Sequence, residues 1–343
     1  MGLGGHLLWS SVVRRLHEDS GNPVRVGYLP GLTDLLRGEL HDVSRSIRND
    51  TIFRDNPRID AQSVVDKPSV FIAVDRVVIA VLRLLGLLRV YERFIFWLAY
   101  QTRHRSGIWY AHIDMRLHSY VRQETSERMV WKEGGHIIDI LLANYGLIAR
   151  DYECEMYFSP HEEEAVNRLQ ESLKLTTDFV VIEPHSNSQW FGNLREWSFE
   201  RWERVVQWLR DQNYPVVQIG EGGRPVLEGA IDVTGRASFR EAVLLMKRAR
   251  LFLGQEGGLM HAANAVNVQS VIVWGGLTLP EFAGYSKHTV LCSRVECAPC
   301  GLRGHCPYDK KCLTTVETSD VISAVSGTLE SSKTKCLDRS FGD

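Results

Sequence analysis

The feature that most constrains the fold is a regular alternation of apolar and amphipathic segments between residues 176 and 292. The apolar segments, such as FVVI, VVQI, LFLG and SVIVW, have the length and the β-branched content of buried strands. The segments between them have helical periodicity, and two of them begin at Ser198 and Ser238, a residue type favoured at helix N-caps. This alternation predicts right-handed βαβ units on a parallel sheet.

The length of the chain predicts two domains. Its 343 residues exceed one ordinary domain, and its composition, 44% hydrophobic and 24% charged, is typical of a globular protein. We place the first domain at 1–175, the second at 176–325 and a loose polar tail at 326–343. The strand that should open the first domain is missing before the N-terminal glycine segment, which we interpret as a start codon assigned too late.

Charge and hydropathy limit the partners and the location. The net charge of −2 gives no electrostatic support for nucleic-acid binding. The N-terminus lacks the pattern of a signal peptide, and no apolar run approaches the roughly 18 residues of a membrane span. We expect a cytoplasmic protein. The apolar region 77–100, interrupted by several arginines, is interpreted as a buried helix pair, with peripheral contact with the inner membrane as the alternative.

Three predicted strands end in residues that are suited to ligand binding, and the last of them, VIVWGG, is followed by Leu277 and Thr278. Ligands of open parallel sheets lie outside the carboxyl ends of the strands. Glu221 follows VVQIG, and Glu256, Gly257 and Gly258 follow LFLGQ. The glycines let a diphosphate approach the backbone at a helix start, although a plain tight turn is the alternative. We expect Glu256 to accept hydrogen bonds from sugar hydroxyls, and His261 either to donate to phosphate or to pack in the core.

Four of the seven cysteines form a spaced array, Cys297-x2-Cys300-x5-Cys306-x5-Cys312. In a reducing compartment such a cluster is more typical of a metal site than of disulfides. Four thiolates complete a tetrahedral zinc or iron site and leave no position for a substrate. A metal here would therefore be structural, and free or redox-linked thiols are the alternative.

These segments together resemble glycosyltransferase family 9, the ADP-heptose:lipopolysaccharide heptosyltransferases. LFLGQEGGLMHAANAVNVQSVIVWGG, followed by the cysteine array, is similar to the C-terminal half of the family, whose acidic residue and His match Glu256 and His261. The likeness extends to 183–209, where the family commonly has Lys before Trp and this chain has Arg195 before Glu196-Trp197. Arg195 is thus a candidate to neutralise a nucleotide diphosphate. The likeness is weak over 22–130.

The resemblance implies an α/β fold of GT-B architecture, in which two Rossmann-like domains face each other across a cleft. The donor nucleotide sugar would bind the C-terminal domain and a lipid-linked or glycan acceptor the N-terminal domain. It also implies an inverting transfer, without a required cofactor, of heptose from ADP-heptose to the lipopolysaccharide core or a related bacterial surface glycan. The alternatives are a GT-B transferase with another nucleotide sugar and a non-catalytic nucleotide- or glycan-binding homologue.

The segment GLGGHLLWSSVVRRL resembles the acceptor loop of the family, usually Gly-x-Gly-Asp, so that Gly2, Gly4 and Gly5 are candidate acceptor-loop residues. Gly5 stands where family members have the Asp that is the candidate base. Glycine cannot accept a proton, and this departure puts the catalytic assignment in doubt.

His6, next to Gly5, is our candidate for the catalytic base, because imidazole exchanges protons near neutral pH. The carboxylates Asp139 and Glu183 are the other candidates. An inactive homologue, without a base, is the remaining alternative.

Overall fold

The computed structural model describes residues 2–28, 30–39, 42, 50–60, 68–101, 104–105, 108–113, 121–132, 135–175, 178–186 and 191–338. The chain divides into two compact units. The first unit comprises residues 3–123 and 131–152, and the second comprises Gly2, 124–130 and 153–343. The second unit thus includes residues 153–175, whereas the sequence analysis placed a domain boundary near 175.

The described part of the first unit combines helices with a small sheet. The helices are α1 (Leu3–Ser20), α2 (Leu32–Leu36), α3 (Ser69–Leu84), α4 (Leu88–Gln101) and α5 (Ile137–Ala143). The strands are β1 (Arg25–Gly27), β2 (His104–Arg105) and β3 (Ile108–His112). The central strand β3 is parallel to β1 and antiparallel to β2. Outside this sheet, β4 (Val121–Glu124) and β5 (Met129–Trp131) form a two-stranded sheet in a segment whose residues 124–130 are counted with the second unit.

The second unit is built on a six-stranded parallel sheet. Its strands are β6 (Val180–Ile182), β7 (Val216–Gln218), β8 (Ile231–Asp232), β9 (Leu251–Gln255), β10 (Ser270–Trp274) and β11 (His288–Cys292). They lie in the order β11-β10-β9-β6-β7-β8 and pair in parallel throughout. Counted along the chain, this is the strand order of the dinucleotide-binding Rossmann fold.

Helices cover this sheet. They are α6 (Pro160–Ser172), α7 (Phe199–Asp211), α8 (Phe239–Arg248), α9 (Gly258–Ala265), α10 (Pro280–Ala283), α11 (Lys311–Thr314) and α12 (Thr318–Asp338). Alternate residues of the central strands pack in one core with buried residues of α7 and α12, as the two-residue period of a strand requires. The predicted caps are confirmed: Ser198 accepts from Arg201 N, and Ser238 forms a capping box with Glu241.

Three predicted segments were wrong. Residues 69–75, predicted as a buried strand, form the start of α3, which Asp75 anchors by accepting hydrogen bonds from Thr33 N and Oγ1 of α2. Residues 153–160, predicted as a strand, have no strand pairing, and α6 begins at Pro160. The predicted loose tail is helical up to Asp338, because α12 buries Val325 and Leu329 in the core of the sheet.

The N-terminal glycine segment is also not a loop. Helix α1 begins at Leu3, so Gly4 and Gly5 lie in its first turn. The apolar residues that follow, Leu7 and Leu8, are buried, and their burial stabilises the helix from its first turn.

Of the helix pair predicted as buried, helix α3 is exposed instead, whereas α4 buries Ile95. All residues of α3 are described, and none of them is buried. Within the described part of the chain, no helix combines the length and apolar character that crossing a membrane requires.

Candidate functional site

The carboxyl ends of β6 and β9 meet where the order of the sheet reverses. The two strands are paired neighbours, and the chain leaves them toward opposite edges of the sheet. Such diverging connections leave a crevice, in which this class of fold binds ligands. Glu183 follows β6, and Glu256 follows β9. We call this crevice the switch-point site.

Arg195 and Glu256 form an ion pair in the switch-point site. Arg195 Nε lies 3.2 Å from Glu256 Oε1, and Thr278 Oγ1 donates a hydrogen bond of 3.0 Å to Glu256 Oε2. Burial raises the pKa of Glu256, and the charge of Arg195 opposes this effect. The carboxylate is therefore buried against a cation, a pairing that the sequence analysis did not predict.

The contact between these two groups is electrostatic. Among the described residues, Arg195 Nε and Glu256 Oε1 complete no hydrogen bond of good geometry. Since a buried donor without such a bond has unused hydrogen-bonding capacity, the guanidinium is well suited to an anionic ligand.

Gln255 positions the backbone on both sides of the site. Its Nε2 donates to Pro184 O over 2.9 Å, and its Oε1 accepts from Trp197 N. The side chain thus joins the end of β6 to the segment that carries Arg195. Sequence analysis placed Gln255 at the end of a strand but assigned it no role, because no motif marks a glutamine for this one.

A second cluster of charged side chains lies near the carboxyl end of β6. Arg224 Nη2 donates to Glu196 Oε1 over 2.7 Å and lies 3.2 Å from His185 Nδ1. Glu196 also accepts from Ser186 N over 2.9 Å. Sequence reasoning missed this group, because its members come from separate connections and share no fixed spacing.

Glu183, beside this group, is a weak acid. Its pKa is raised to about 8, first by burial and then by the Glu196 carboxylate, against the charge of Arg224. At neutral pH such a carboxyl is mostly protonated and can donate a hydrogen bond to a phosphate or hydroxyl oxygen. This protonation state argues against the role of a base.

The start of α9 is suited to bind an anion. Gly257 is its N-cap and has no side chain to cap the helix, and a Cβ placed on it would meet nothing within 4 Å. The first amide groups of a helix carry partial positive charge and point outward. Gly257 and Gly258 thus present backbone donors beside Glu256, and the binding of a diphosphate there stays a prediction.

His261 is held by its neighbours inside the second unit. Its Nδ1 lies 2.5 Å from the hydroxyl of Tyr285, which also lies 3.3 Å from Cys154 Sγ. His261 and Tyr285 are both buried. This contact orients the imidazole one turn after Gly257. By contrast, Glu221 is exposed after β7, the strand next to β6.

The four cysteines lie in the segment after β11 and are half-buried thiols. The pKa of the Cys312 thiol is raised by burial and also by Cys297, Cys300 and Cys306, so the four groups are neighbours. In the described ranges, however, no three His, Cys, Asp or Glu side chains are arranged as a set that could hold a metal ion.

The cysteine segment packs on the backbone that leads to the switch-point site. Cys300 N donates to Gly276 O over 2.8 Å, and Gly301 N donates to Leu277 O over 3.2 Å. A Cβ on Gly276 would come within 3.2 Å of Cys312 Sγ, so Gly276 allows this close packing. The next residue after Leu277 is Thr278, the hydrogen-bond donor to Glu256.

His6 forms a dyad with a carboxylate in the first unit. His6 Nδ1 lies 3.1 Å from Asp50 Oδ2, and both side chains are largely buried. Burial raises the pKa of Asp50, but His6 and the backbone amides of Ile52 and Phe53 together lower it more, so that the net shift is downward. An imidazole oriented by a carboxylate is a typical general base. Asp50 lies where the family resemblance is weak, and no motif marks it in the sequence.

Asp139, the alternative base, is already engaged. Tyr152 OH donates to Asp139 Oδ2 over 2.6 Å, and this hydrogen bond raises the pKa of Tyr152 to about 12. Asp139 thus accepts a hydrogen bond from Tyr152, whereas His6 lies against Asp50.

Comparisons with known proteins bear on the family and the fold. The family model described as glycosyltransferase family 9 (heptosyltransferase) matches residues 140–311, which are 172 of the 343 residues. A search of curated protein sequences found no match.

Three solved structures illustrate the structural similarity. A family 9 glycosyl transferase from Veillonella parvula is 15% identical, with 96% of this chain and 95% of that chain covered and a TM-score of 0.60. ADP-heptose lps heptosyltransferase II of E. coli is 16% identical, with 58% and 63% covered and a TM-score of 0.46. The iron-containing dodecameric glycosyltransferase TibC of enterotoxigenic E. coli is 18% identical, with 57% and 54% covered and a TM-score of 0.47.

The matches to the two E. coli enzymes span less than two thirds of their lengths. The Veillonella structure, which is matched over nearly its whole length, shows the fold. With the parallel sheet, it confirms the predicted α/β fold of the GT-B class.

Replacing Glu183 by Gln should change how stability depends on pH. In the wild type the unfolded chain loses this proton near the ordinary pKa of 4.5, whereas the folded chain keeps it until about 8. The free energy of unfolding of the wild type should therefore decrease, on the order of 1–3 kcal/mol, as the pH rises from 4.5 to about 8. Glu183→Gln should not show this decrease.

Urea unfolding at pH 5 and pH 8 measures this difference. Glu221→Gln, an exposed carboxylate after the neighbouring strand, is the matched control and should retain the wild-type slope. Equal pH dependence in Glu183→Gln and the wild type would contradict the assignment.

Proposed function

Because the family model covers half of its length, this chain belongs to glycosyltransferase family 9, and we propose that it transfers heptose from ADP-heptose to the lipopolysaccharide core or a related bacterial surface glycan. The observation that carries the proposal is the pairing of Arg195 with Glu256 beside the glycine start of α9. A cation and free helix amides at the switch point of a Rossmann sheet form a diphosphate site.

The donor would be held by three kinds of contact in the second unit. Arg195 and the first amides of α9 bind the diphosphate, with His261 beside them. Protonated Glu183 adds a hydrogen-bond donor without repelling the anion. Glu221, exposed after the second strand of the Rossmann order, accepts from ribose hydroxyls, the role of an acidic residue at this place in the fold. Glu256 keeps Arg195 oriented and accepts from a sugar hydroxyl when the guanidinium turns to the diphosphate.

The reaction is a substitution at the anomeric carbon. The acceptor oxygen forms a bond to that carbon, and its proton passes to His6, which Asp50 orients and stabilises as imidazolium. The bond between the anomeric carbon and the diphosphate oxygen breaks, and the leaving group takes the electron pair. Arg195 and the α9 amides stabilise the negative charge that develops there. Attack opposite to the leaving group inverts the anomeric configuration.

Donor binding should depend on Arg195 and Glu256. Arg195→Gln removes the cation and should weaken ADP-heptose and ADP binding by about 10–100-fold, the range for hydrogen bonds to charged groups. Glu256→Ala should also weaken ADP-heptose binding, and Arg195→Lys should weaken it less than Arg195→Gln because the charge remains. Calorimetric titration with ADP-heptose, ADP and UDP measures these affinities.

Arg204→Gln, an exposed arginine of α7, is the matched control and should bind as the wild type does. Preference for UDP would indicate a transferase with another donor. Binding of none of these nucleotides would reject the donor site.

Turnover should depend on His6. His6→Ala should lower kcat by about 10²–10⁴-fold, the usual contribution of a general base, and leave the donor Kd unchanged. Asp50→Asn should cause a smaller loss, because the imidazole remains but loses its charged partner. The measurement is release of ADP from ADP-heptose in the presence of lipopolysaccharide-core acceptor.

His17→Ala, on the exposed last turn of α1, controls for general damage to that helix and should remain active. Full activity of His6→Ala would exclude His6 as the base and direct attention to Asp139. Donor binding without turnover in the wild type would favour the non-catalytic homologue.

The four cysteines suit a structural metal ion by the chemistry of their thiols, although in the described part of the chain they are not arranged as a metal site. They are neighbouring half-buried thiols, and four thiolates suit zinc or iron. Cys297, Cys300, Cys306 and Cys312 would hold the ion and thereby fix the segment that packs on Gly276. This role is separate from the transfer step.

Metal analysis of the purified protein should find about one zinc or iron per chain, as a four-thiolate site requires. Cys300→Ser with Cys312→Ser should lose the metal, lower Tm and weaken ADP binding, because the backbone before Thr278 loses its support. Cys292→Ser, on β11 outside the array, should retain the metal. Four titratable thiols without metal in the wild type would favour the free-thiol alternative.

A further inference from the structure

The helix pair α3–α4 exposes an apolar surface that the proposed reaction does not use. On α3, the exposed positions Val70, Val74, Val77, Val81 and Leu84 follow each other at intervals of four and three residues. This spacing places them on one side of a helix. A continuous apolar stripe exposed on a folded unit marks an interaction surface.

The connection between the two helices is the most exposed part of this surface. Leu84 is 87% exposed, Leu85 64% and Leu87 47%. Gly86 lies between them with a φ of +69, and this left-handed conformation forms the tight turn between α3 and α4. The turn thus presents three leucines to the surroundings. We call these three residues the leucine tip.

Aromatic residues extend the surface along α4. Phe94 and Trp97 are about half exposed and stack with ring centroids 6.2 Å apart. Aromatic side chains of this kind are enriched at the boundary between lipid headgroups and acyl chains. Ile95, between them in the sequence, is buried, so α4 is anchored in the first unit by another side.

The charge of the helix pair is opposite to that of the whole chain. Residues 69–101 contain four arginines and two acidic residues, a net charge of +2, whereas the complete chain has −2. Asp75, one of the acidic residues, is bound to Thr33. Arg76 and Arg83 lie seven residues apart and so share a side of α3, next to the apolar stripe.

From this combination we infer that α3 and α4 form a membrane-docking element for an anionic lipid surface, with the leucine tip inserted among the acyl chains. The apolar stripe, the aromatic pair and the arginine edge are the features of helices that lie in a membrane interface. Helix α3 has 16 residues, about 24 Å at 1.5 Å per residue, and is too short to cross a hydrocarbon core of about 30 Å. A second copy of the chain is a poorer partner, because arginines of the same surface would face each other.

The test is flotation of the full-length protein with lipid vesicles. The wild type should float with vesicles of phosphatidylethanolamine and phosphatidylglycerol. With vesicles of phosphatidylcholine alone it should stay in the bottom fraction. The triple substitution Leu84→Ser, Leu85→Ser and Leu87→Ser should reduce binding about tenfold or more, since the inserted apolar area is lost. Arg76→Gln and Arg83→Gln should each reduce binding to the anionic vesicles about fivefold, and added salt should have the same effect.

Ile148→Ser is the matched control, because Ile148 is an exposed apolar residue of the first unit outside the helix pair. It should float as the wild type does, and circular dichroism and ADP binding should be unchanged in every variant. Membrane docking by α3 and α4 does not depend on the proposed reaction. If the protein binds vesicles but not ADP, only the proposed donor site is rejected.

Two results would overturn the inference. The first is a wild type that fails to float with the anionic vesicles, or a triple variant that floats as Ile148→Ser does. The second is self-association, seen by sedimentation velocity without lipid, that the triple variant abolishes while vesicle binding is absent. That result would assign the surface to a second copy of the chain.

Discussion

The parallel pairing of β6 with β9 is the contact on which the donor half of this protein depends. It places the carboxyl ends of two strands, which are far apart in the sequence, side by side. Because the following connections run to opposite edges of the sheet, the crevice there remains open. Gln255 joins both connections by its two hydrogen bonds and thus holds Arg195 near Glu256. Loss of this pairing would separate every group that we assign to the donor.

Three carboxyl groups lie at the edge of the sheet where we propose that an anion binds. The negative charge of each is offset in a different way. Glu256 faces Arg195, Glu196 faces Arg224, and Glu183 has a pKa raised to about 8. Burying an uncompensated carboxylate is costly, so pairing or protonation must accompany it. With the acidic groups compensated in this way, the edge can accept a diphosphate through its arginines and the start of α9.

The first unit shows how tertiary context overrides a local pattern. A run of valine and isoleucine favours a strand by propensity, yet residues 69–84 form a helix. Helix α3 is attached to α2 through Asp75 and Thr33, and its apolar side is left uncovered. In the same unit, Asp50 reaches His6 from a distant part of the sequence. Neither arrangement follows from spacing along the chain, since both depend on contacts between segments that are not neighbours in sequence.

The sequence by itself determined the βαβ units of the second unit, with their serine caps and the glycine start of α9, because periodicity, capping and glycine conformation act over a few residues. By the family resemblance it also indicated Arg195, Glu256 and His261 as candidates for the donor site. Only the tertiary structure decided that Glu256 is buried against Arg195, that Glu183 holds a proton, and that α3 is exposed. Burial and charge pairing arise between segments far apart in the chain, so they exist only once the sheet has formed.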